Sequence, residues 1–365
     1  MWFIELSLFL LCSTFGYEDK PKNVPERLPR NDLLLFRNAM GKTAVVSNEE
    51  DWHKRKAEII RGMESVMGKL PGKEKRIALE VKVEEEFDGG SYVRKLISYA
   101  SEPNSRVTAY ICIPKDALFG KRKASAVLCL HGTNNQIGHG TVVGIGNVAN
   151  RGYAMELAQR GFITLSPSYP QLAKYQPDIK ALGWESGTLK AVWDNIRGLD
   201  YLETLPYLAH NNFGAVGQSL GGHNSVYTAV FDERIKVIVS SCGLDSYLDY
   251  MGGNPKVWEL EKGWCQTRYM PKLASYKGRL EQIPFDFHEM IGALAPRNTL
   301  IISPTMDSNF KAESVDRIAA SAGKIYTLYK RPENLKVLHP EGGHDFNPEM
   351  REAAFKLFDK VLEGK

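Results

Sequence analysis

An α/β fold with a mostly parallel, twisted sheet and helices on both faces is predicted by three observations on the 365-residue sequence. After Lys115, short apolar runs alternate with helical patterns, which is the rhythm of βαβ units. Several of these runs are followed at once by polar, chemistry-bearing residues, as expected where parallel strands end on a common edge. The chain is also long enough to bury a large core, and its 43% hydrophobic and 25% charged content is that of a soluble globular protein.

Taken in order, the chain begins with MWFIELSLFLLCSTFG, an apolar run ending in small residues. Residues 1–16 read as a signal peptide, which predicts export to a periplasm or beyond the cell. Glu5 stands where a basic residue is expected, so a cytoplasmic chain is the alternative. Residues 17–74 read as an N-terminal helical addition, helical from about residue 24, with Trp52, Ile59, Ile60, Met63 and Met67 near one face. The main domain is expected over 75–365. It opens with RIALEVKVEEEF, SYVRKLISYA and RVTAYICIP, whose DGG and SEPNS connections suit an antiparallel meander. Strands are then expected at 125–130, 162–167, 213–217, 235–241, 298–304 and 335–340. The clearest helices are expected at about 186–203 and 348–364, where apolar residues recur at helical spacing. An aromatic-rich insertion at about 243–290 interrupts the alternation. It is read either as a satellite core or as a lid lining a substrate site.

Composition excludes several classes of function. The net charge of +4 is mild and both signs are interspersed, so there is no nucleic-acid footprint. The densest basic stretch, GKRK at 120–123, reads as a solvated turn. After the first twenty residues no run is long and apolar enough to span a bilayer. The five cysteines show no CxxC spacing and there is no HExxH, so neither a metal nor an organic cofactor is expected. Buried free thiols are the expectation for the cysteines, with a disulfide open to an exported chain. No feature points to a particular oligomeric state.

The chemistry lies where the apolar runs stop. The run at 125–130 leads into His131, Gly132 and Thr133, and FGAVG leads through Gln218 to Ser219 within Gly-Gln-Ser-Leu-Gly. NTLIISP is followed by Thr305, Met306 and Asp307, and LKVLHP by EGGHDF with His344. Gly-x-Ser-x-Gly alone is short enough to mark only a tight turn, but four strand ends converging on one rim favour a serine nucleophile. A serine hydroxyl needs a neighbouring base, for which His344 is the candidate, with a surface histidine as the bland alternative. His131, His139 and His223 compete less well, and His223 reads as a packing residue. Asp307 is the candidate that orients the imidazole, with Asp245 as its rival. The backbone N–H groups of Leu220 and Thr133 are the candidate oxyanion donors. Trp264 and Tyr269, in the insertion, are candidate substrate contacts, because aromatic faces suit sugar rings.

With these residues in place, the sequence resembles a serine-dependent α/β-hydrolase. HGT, GQSLGG, PTMD and GGHDF match that superfamily's oxyanion turn, nucleophile elbow, acid and histidine in order. The resemblance runs over roughly residues 75–362. It is strongest to the branch around dienelactone hydrolases, acetyl xylan esterases and prolyl oligopeptidases, whose lead-in is similar to YVRKLISYASEPNSRVTAYICIP. It implies Ser219 as nucleophile, Asp307 as acid and His344 as base. Dienelactone hydrolases carry cysteine at the elbow, and prolyl oligopeptidases carry a propeller for which this chain has no room. The resemblance therefore implies a carboxylester hydrolase working through an acyl-serine, acting on small or carbohydrate esters. A serine peptidase on short peptides and a catalytically silent binding protein are the alternatives.

Overall fold

The computed structural model describes residues 27–365. Residues 1–16, read as a signal peptide, lie outside the described residues. Among the described residues no helix is long and apolar enough to cross a membrane.

The N-terminal addition departs from its helical reading. Residues Leu35–Arg37 (β1) and Thr43–Val45 (β2) pair as an antiparallel hairpin, and the helix runs only over Glu49–Met67 (α1). Asn48 caps α1 by accepting the Asp51 N–H, and Glu49, Glu50 and Asp51 fill its first turn, where negative charge suits the helix dipole. Within α1 the apolar spacing holds for Trp52, Ile59, Met63 and Met67, which are buried, whereas Ile60 is only half-buried. What spacing could not supply was the start, because the preceding residues are tied down by distant partners.

The sheet has nine strands. The meander comprises Lys82–Asp88 (β3), Tyr92–Glu102 (β4) and Ser105–Pro114 (β5), followed by a single turn at Lys115–Leu118 (α2). The alternating part follows as Ala124–Leu130 (β6), Tyr153–Gln159 (α3), Ile163–Pro167 (β7), Gly187–Glu203 (α4), Leu208–Gln218 (β8), Leu220–Phe231 (α5) and Ile235–Ser241 (β9). It closes with Phe287–Leu294 (α6), Asn298–Ile302 (β10), Ala312–Leu328 (α7), Leu335–Leu338 (β11) and Pro348–Phe358 (α8). The strand order is β11-β10-β9-β8-β6-β7-β5-β4-β3. Strands β6 to β11 pair in parallel, and β5, β4 and β3 continue the sheet antiparallel. The first expected strand is shorter than its apolar pattern, since residues 76–81 stay outside β3, an exposed and heavily charged edge. Charge on an edge strand discourages pairing with another chain.

Alternation along each strand divides the core. In β6, Ala126, Leu128 and Leu130 face one cluster with Val192 of α4, Val226 of α5 and Ile318 of α7. Val127 and Cys129 face the other, with Leu157 of α3 and Phe358 of α8. The result is helices on both faces of one sheet. The order of connection reverses at β6, with β7 on one side of it and β8 on the other. A switch of this kind leaves a crevice at the carboxyl ends of the strands, where open α/β sheets bind ligands.

Three arginines bind the N-terminal segment to the body. Arg27 and Arg55 each pair with Glu289 of α6, at 2.5 and 2.7 Å, and Arg30 pairs with Asp286. Asp286 also caps α6 through the Phe287 N–H and accepts the Ser246 hydroxyl at 2.8 Å. Burying Glu289 is tolerable only because both guanidinium groups meet it. Arg55→Ala should therefore lower stability by about 3 kcal/mol, read as a reduced urea midpoint at unchanged m-value.

Candidate active site

Strand β8 turns sharply into α5 at Ser219, whose backbone sits at φ 58 and ψ −120, a conformation that costs an L-residue on the order of 1–3 kcal/mol. The turn is possible because of the glycines beside it. A Cβ on Gly217 would lie 2.2 Å from the Gly221 carbonyl carbon, and one on Gly221 would lie 1.9 Å from the Leu130 carbonyl oxygen. Two backbone bonds hold the elbow, from Ser219 N–H to the Ser241 carbonyl at 2.9 Å and from His223 N–H to the Ser219 carbonyl at 3.1 Å. The side chain of Ser219 is left half-buried at the start of a helix, clear of the sheet.

The turn after β6 lies against this elbow. A Cβ on Gly132 would come within 3.8 Å of the Ser219 Cβ. His131 fixes that turn: its Nε2 accepts the Tyr169 N–H at 3.1 Å, so its Nδ1 carries the proton and donates to the Gly132 carbonyl at 2.8 Å. Burial pushes the His131 pKa down to about 4, which keeps the ring neutral. The N–H groups of Leu220 and Thr133 meet no acceptor among the described residues. The Thr133 hydroxyl lies 3.2 Å from the Tyr269 hydroxyl.

Asp307 and His344 arrive on two loops bound to each other. Thr305 N–H donates to the Pro340 carbonyl at 3.0 Å and Met306 N–H to the Gly342 carbonyl at 2.9 Å. His344 Nδ1 lies 3.0 and 2.9 Å from the two Asp307 oxygens. Asp307 also accepts the Asn309 and Phe310 N–H groups, at 2.8 and 3.3 Å. Burial works to raise the Asp307 pKa, yet these hydrogen bonds and the nearby imidazole hold it below the ordinary carboxylate value. An ionised Asp307 fixes the Nδ1–H tautomer and leaves Nε2 of His344 free to act as a base. The histidine loop is anchored on its far side too, by Asp345 pairing with Arg151 at 2.6 Å.

The structure thus brings Asp307 and His344 into contact. The loop of His344 reaches the residue before the serine, with Gln218 Nε2 3.5 Å from the His344 carbonyl. No hydrogen bond joins the Ser219 hydroxyl to His344 among the described residues; such bonds are often long before substrate binds. Asp245, the rival acid, is fully buried, and neither of its oxygens has a hydrogen-bond partner among the described residues. Cys242, Asp307 and His344 place ligand-type atoms within 4.8 Å of one another. Burial raises the Cys242 thiol to about 12, however, and its S–H donates to the Asp345 carbonyl at 3.1 Å. That makes it a protonated packing group rather than a thiolate. All four described cysteines are free and buried.

The model of a family described as glucuronyl esterase, fungi, matches residues 183–329. Carbohydrate esterase MZ0003, from an unknown prokaryotic organism, is 22% identical over 417 aligned residues, covering 100% of this chain and 94% of that protein. A protein named putative hydrolase YtaP, from Bacillus subtilis (strain 168), is 26% identical over 171 residues, 47% of this chain. That match spans 53%, about half, of YtaP. The solved glucuronoyl esterase from Solibacter usitatus superimposes with a TM-score of 0.69 at 19% identity, covering 89% of this chain and 96% of that one. With the elbow, the strand order and this superposition agreeing, the fold is settled. The chain has the α/β-hydrolase fold.

A cavity of about 300 Å³ opens beside Ser219. Trp264 and Tyr269, the two expected substrate contacts, both line it. The insertion behaves as core and lining at once: Trp258, Trp264 and Leu273 are buried in the main cluster, and Tyr250 stacks on Trp264 with ring centroids 3.9 Å apart. His223 also serves twice. It packs among the rings of Trp264, Phe287 and Phe310, as a packing residue should. It also faces the cavity, where burial, aided by the neighbouring His344, drives its pKa down to about 3. Phe310, Asn309 and Arg268 are lining residues that the sequence reading missed. Phe310 had a signal, lying three residues after Asp307; Arg268 had none.

Burial lifts the Asp245 pKa to about 7, above the roughly 3.9 expected of an unfolded chain. The folded chain then holds an extra proton between about pH 4 and 7, and loses stability as the pH rises through that window. Asp245→Asn should remove a stability loss on the order of 2 kcal/mol between pH 5 and 8, measured as urea midpoints at both values.

Proposed function

We propose that this chain is a serine carboxylester hydrolase acting on esterified carbohydrates. The observation that carries the reading is the Asp307–His344 pair, 2.9 Å apart, on loops at the same sheet edge as the strained Ser219 elbow. In this reading the Ser219 hydroxyl attacks the ester carbonyl while His344 Nε2 takes its proton. The oxyanion is received by the Leu220 and Thr133 N–H groups, aided by the positive end of α5. His344 then protonates the departing alcohol, and water, deprotonated by the same imidazole, releases the acid from the acyl-serine. Asp307 stays ionised throughout and stabilises the imidazolium.

A carbohydrate substrate is favoured by the aromatic lining of the cavity and by the printed names of the relatives, which describe carbohydrate and glucuronoyl esterases. Export is part of the same proposal and rests on the apolar N-terminal run. Residues 243–290 would contribute the substrate-facing wall.

A fluorophosphonate probe should label Ser219 stoichiometrically, and Ser219→Ala should abolish the labelling. His344→Ala should reduce kcat on an aryl acetate by about four to six orders of magnitude. A folded wild type that neither labels nor turns over acetylated sugars or uronate methyl esters would overturn the proposal. A preference for prolyl or aminoacyl amides over those esters would replace it with the peptidase.

A further inference from the structure

The cavity beside Ser219 runs inward. Thr133 and Asn309 at its mouth are exposed, whereas Asn224, Tyr227 and Trp264 along it are buried. Its floor is one face of α5. His223 and Tyr227 follow Ser219 at four-residue intervals, so they stand about 6 and 12 Å farther along the helix. Phe310 and Trp264, near-parallel with ring centroids 6.2 Å apart, wall the same space.

The hydroxyls in this interior are paired within the protein. Those of Tyr169 and Thr188 lie 3.1 Å apart, and that of Tyr227 lies 3.3 Å from that of Tyr247. His223 is different. It is only 6% exposed and lines the cavity, yet neither ring nitrogen has a hydrogen-bond partner among the described residues. Asn224 beside it accepts the Thr228 hydroxyl at 3.5 Å and leaves its amide N–H groups unpaired among the described residues. A neutral imidazole offers one donor and one acceptor, and burial keeps this ring neutral. Buried groups of this kind are costly until something entering the cavity completes their hydrogen bonds.

Depth decides which half of an ester enters. His344 must hand its proton to the departing alcohol, and its side chain is 21% exposed. A carbohydrate chain needs such an open side and could not be enclosed in a cavity of about 300 Å³. The interior is left to the acyl half. A pyranose carries a hydroxyl on most of its carbons, and set this deep many would meet only rings, unpaired and desolvated. An arene presents apolar faces to those rings and needs a partner only at a hydroxyl on its edge.

We infer that the cavity receives the acyl half of the substrate as a phenolic group, an aromatic acid bearing a ring hydroxyl, and that His223 is the specificity-determining residue that recognises this hydroxyl. The phenol O–H donates to the bare ring nitrogen of His223, and an Asn224 amide N–H donates to the phenol oxygen. The inference rests on the esterase reading. In that reaction the Ser219 oxygen bonds to the acyl carbon and the carbohydrate oxygen departs with the proton His344 carries. Water then releases the phenolic acid and restores the Ser219 hydroxyl. Tyr269, half-buried nearer the mouth, is left to the sugar.

The test is calorimetric binding of intact esters to the full chain carrying Ser219→Ala, which has no hydroxyl there to acylate. Methyl para-hydroxycinnamate is compared with methyl cinnamate, and methyl para-hydroxybenzoate with methyl benzoate, each pair differing by one hydroxyl. In at least one pair the hydroxylated ester should bind roughly 5- to 10-fold more tightly. Adding His223→Phe, which keeps a ring among Trp264, Phe287 and Phe310, should bring that ratio to about one. Adding His223→Gln should keep part of it, because an amide also donates and accepts. Circular dichroism would verify that these variants fold, and the comparison with His223 in place stands without them. No preference in either pair, a preference that survives His223→Phe, an equal preference for para-hydroxyphenethyl acetate over phenethyl acetate, or tighter binding of a uronate methyl ester would overturn the inference. Turnover by the wild type separates the two readings. Hydrolysis of esters without this discrimination sinks the inference alone, whereas discrimination without hydrolysis of any ester sinks only the proposed reaction.

Discussion

The carbonyl oxygen of Leu130, at the end of β6, occupies the space that a side chain at position 221 would need, 1.9 Å from where a Cβ would stand. That contact determines how near α5 can come to the sheet, and the depth of α5 determines where Ser219 stands. With glycine at 221 the helix begins immediately beneath the strand ends, and the φ of 58 at Ser219 is the geometric consequence. Strain of this size persists only where the surroundings over-determine it. Here they do, since β8 is paired on both sides by β6 and β9, and α5 is buried over nearly its whole length.

Electrostatics at the rim depend on the same burial. Three histidines near the site, His131, His139 and His223, are held neutral by desolvation, with pKa values of about 4, 3 and 3. His344 instead faces the Asp307 carboxylate, whose pKa is lowered by its hydrogen bonds to His344 and to the Asn309 and Phe310 N–H groups. Environment, rather than residue type, assigns the roles: three imidazoles pack or position, and one is equipped to carry a proton. Arg268 completes the contrast as a charge whose hydrogen bonds, among the described residues, go to the neutral amides of Gln266 and Asn135.

The N-terminal segment and the insertion contribute from a distance. Arg27, Arg30 and Arg55 clamp α6 through Glu289 and Asp286, and Asp286 receives the Ser246 hydroxyl and the Tyr247 N–H near the start of the insertion. Tyr247 then packs edge-on against Trp258 and Trp264. The buried ion-pair cluster thereby steadies the aromatic wall of the cavity, which it reaches through Tyr247. Buried charges of this kind are costly if a partner is lost, which ties the order of the wall to that of residues 27–55.

Features encoded within one stretch of chain were legible in the sequence. The alternation of strands and helices, the elbow around Ser219, and the strand-end positions of Asp307 and His344 all follow from local periodicity and turn chemistry, which are physical properties of neighbouring residues. The boundaries that failed, the helical reading of residues 27–48 and the over-long first strand, lie where local preference is weak and distant contacts decide. Only the tertiary structure determined that Asp307 rather than Asp245 meets His344, that His223 faces a cavity as well as a core, and that Arg268 has no ionic partner there among the described residues. The reason is that hydrogen-bond partners, desolvation and the absence of a counter-charge are relations between segments far apart in the chain, and no single segment's pattern contains them.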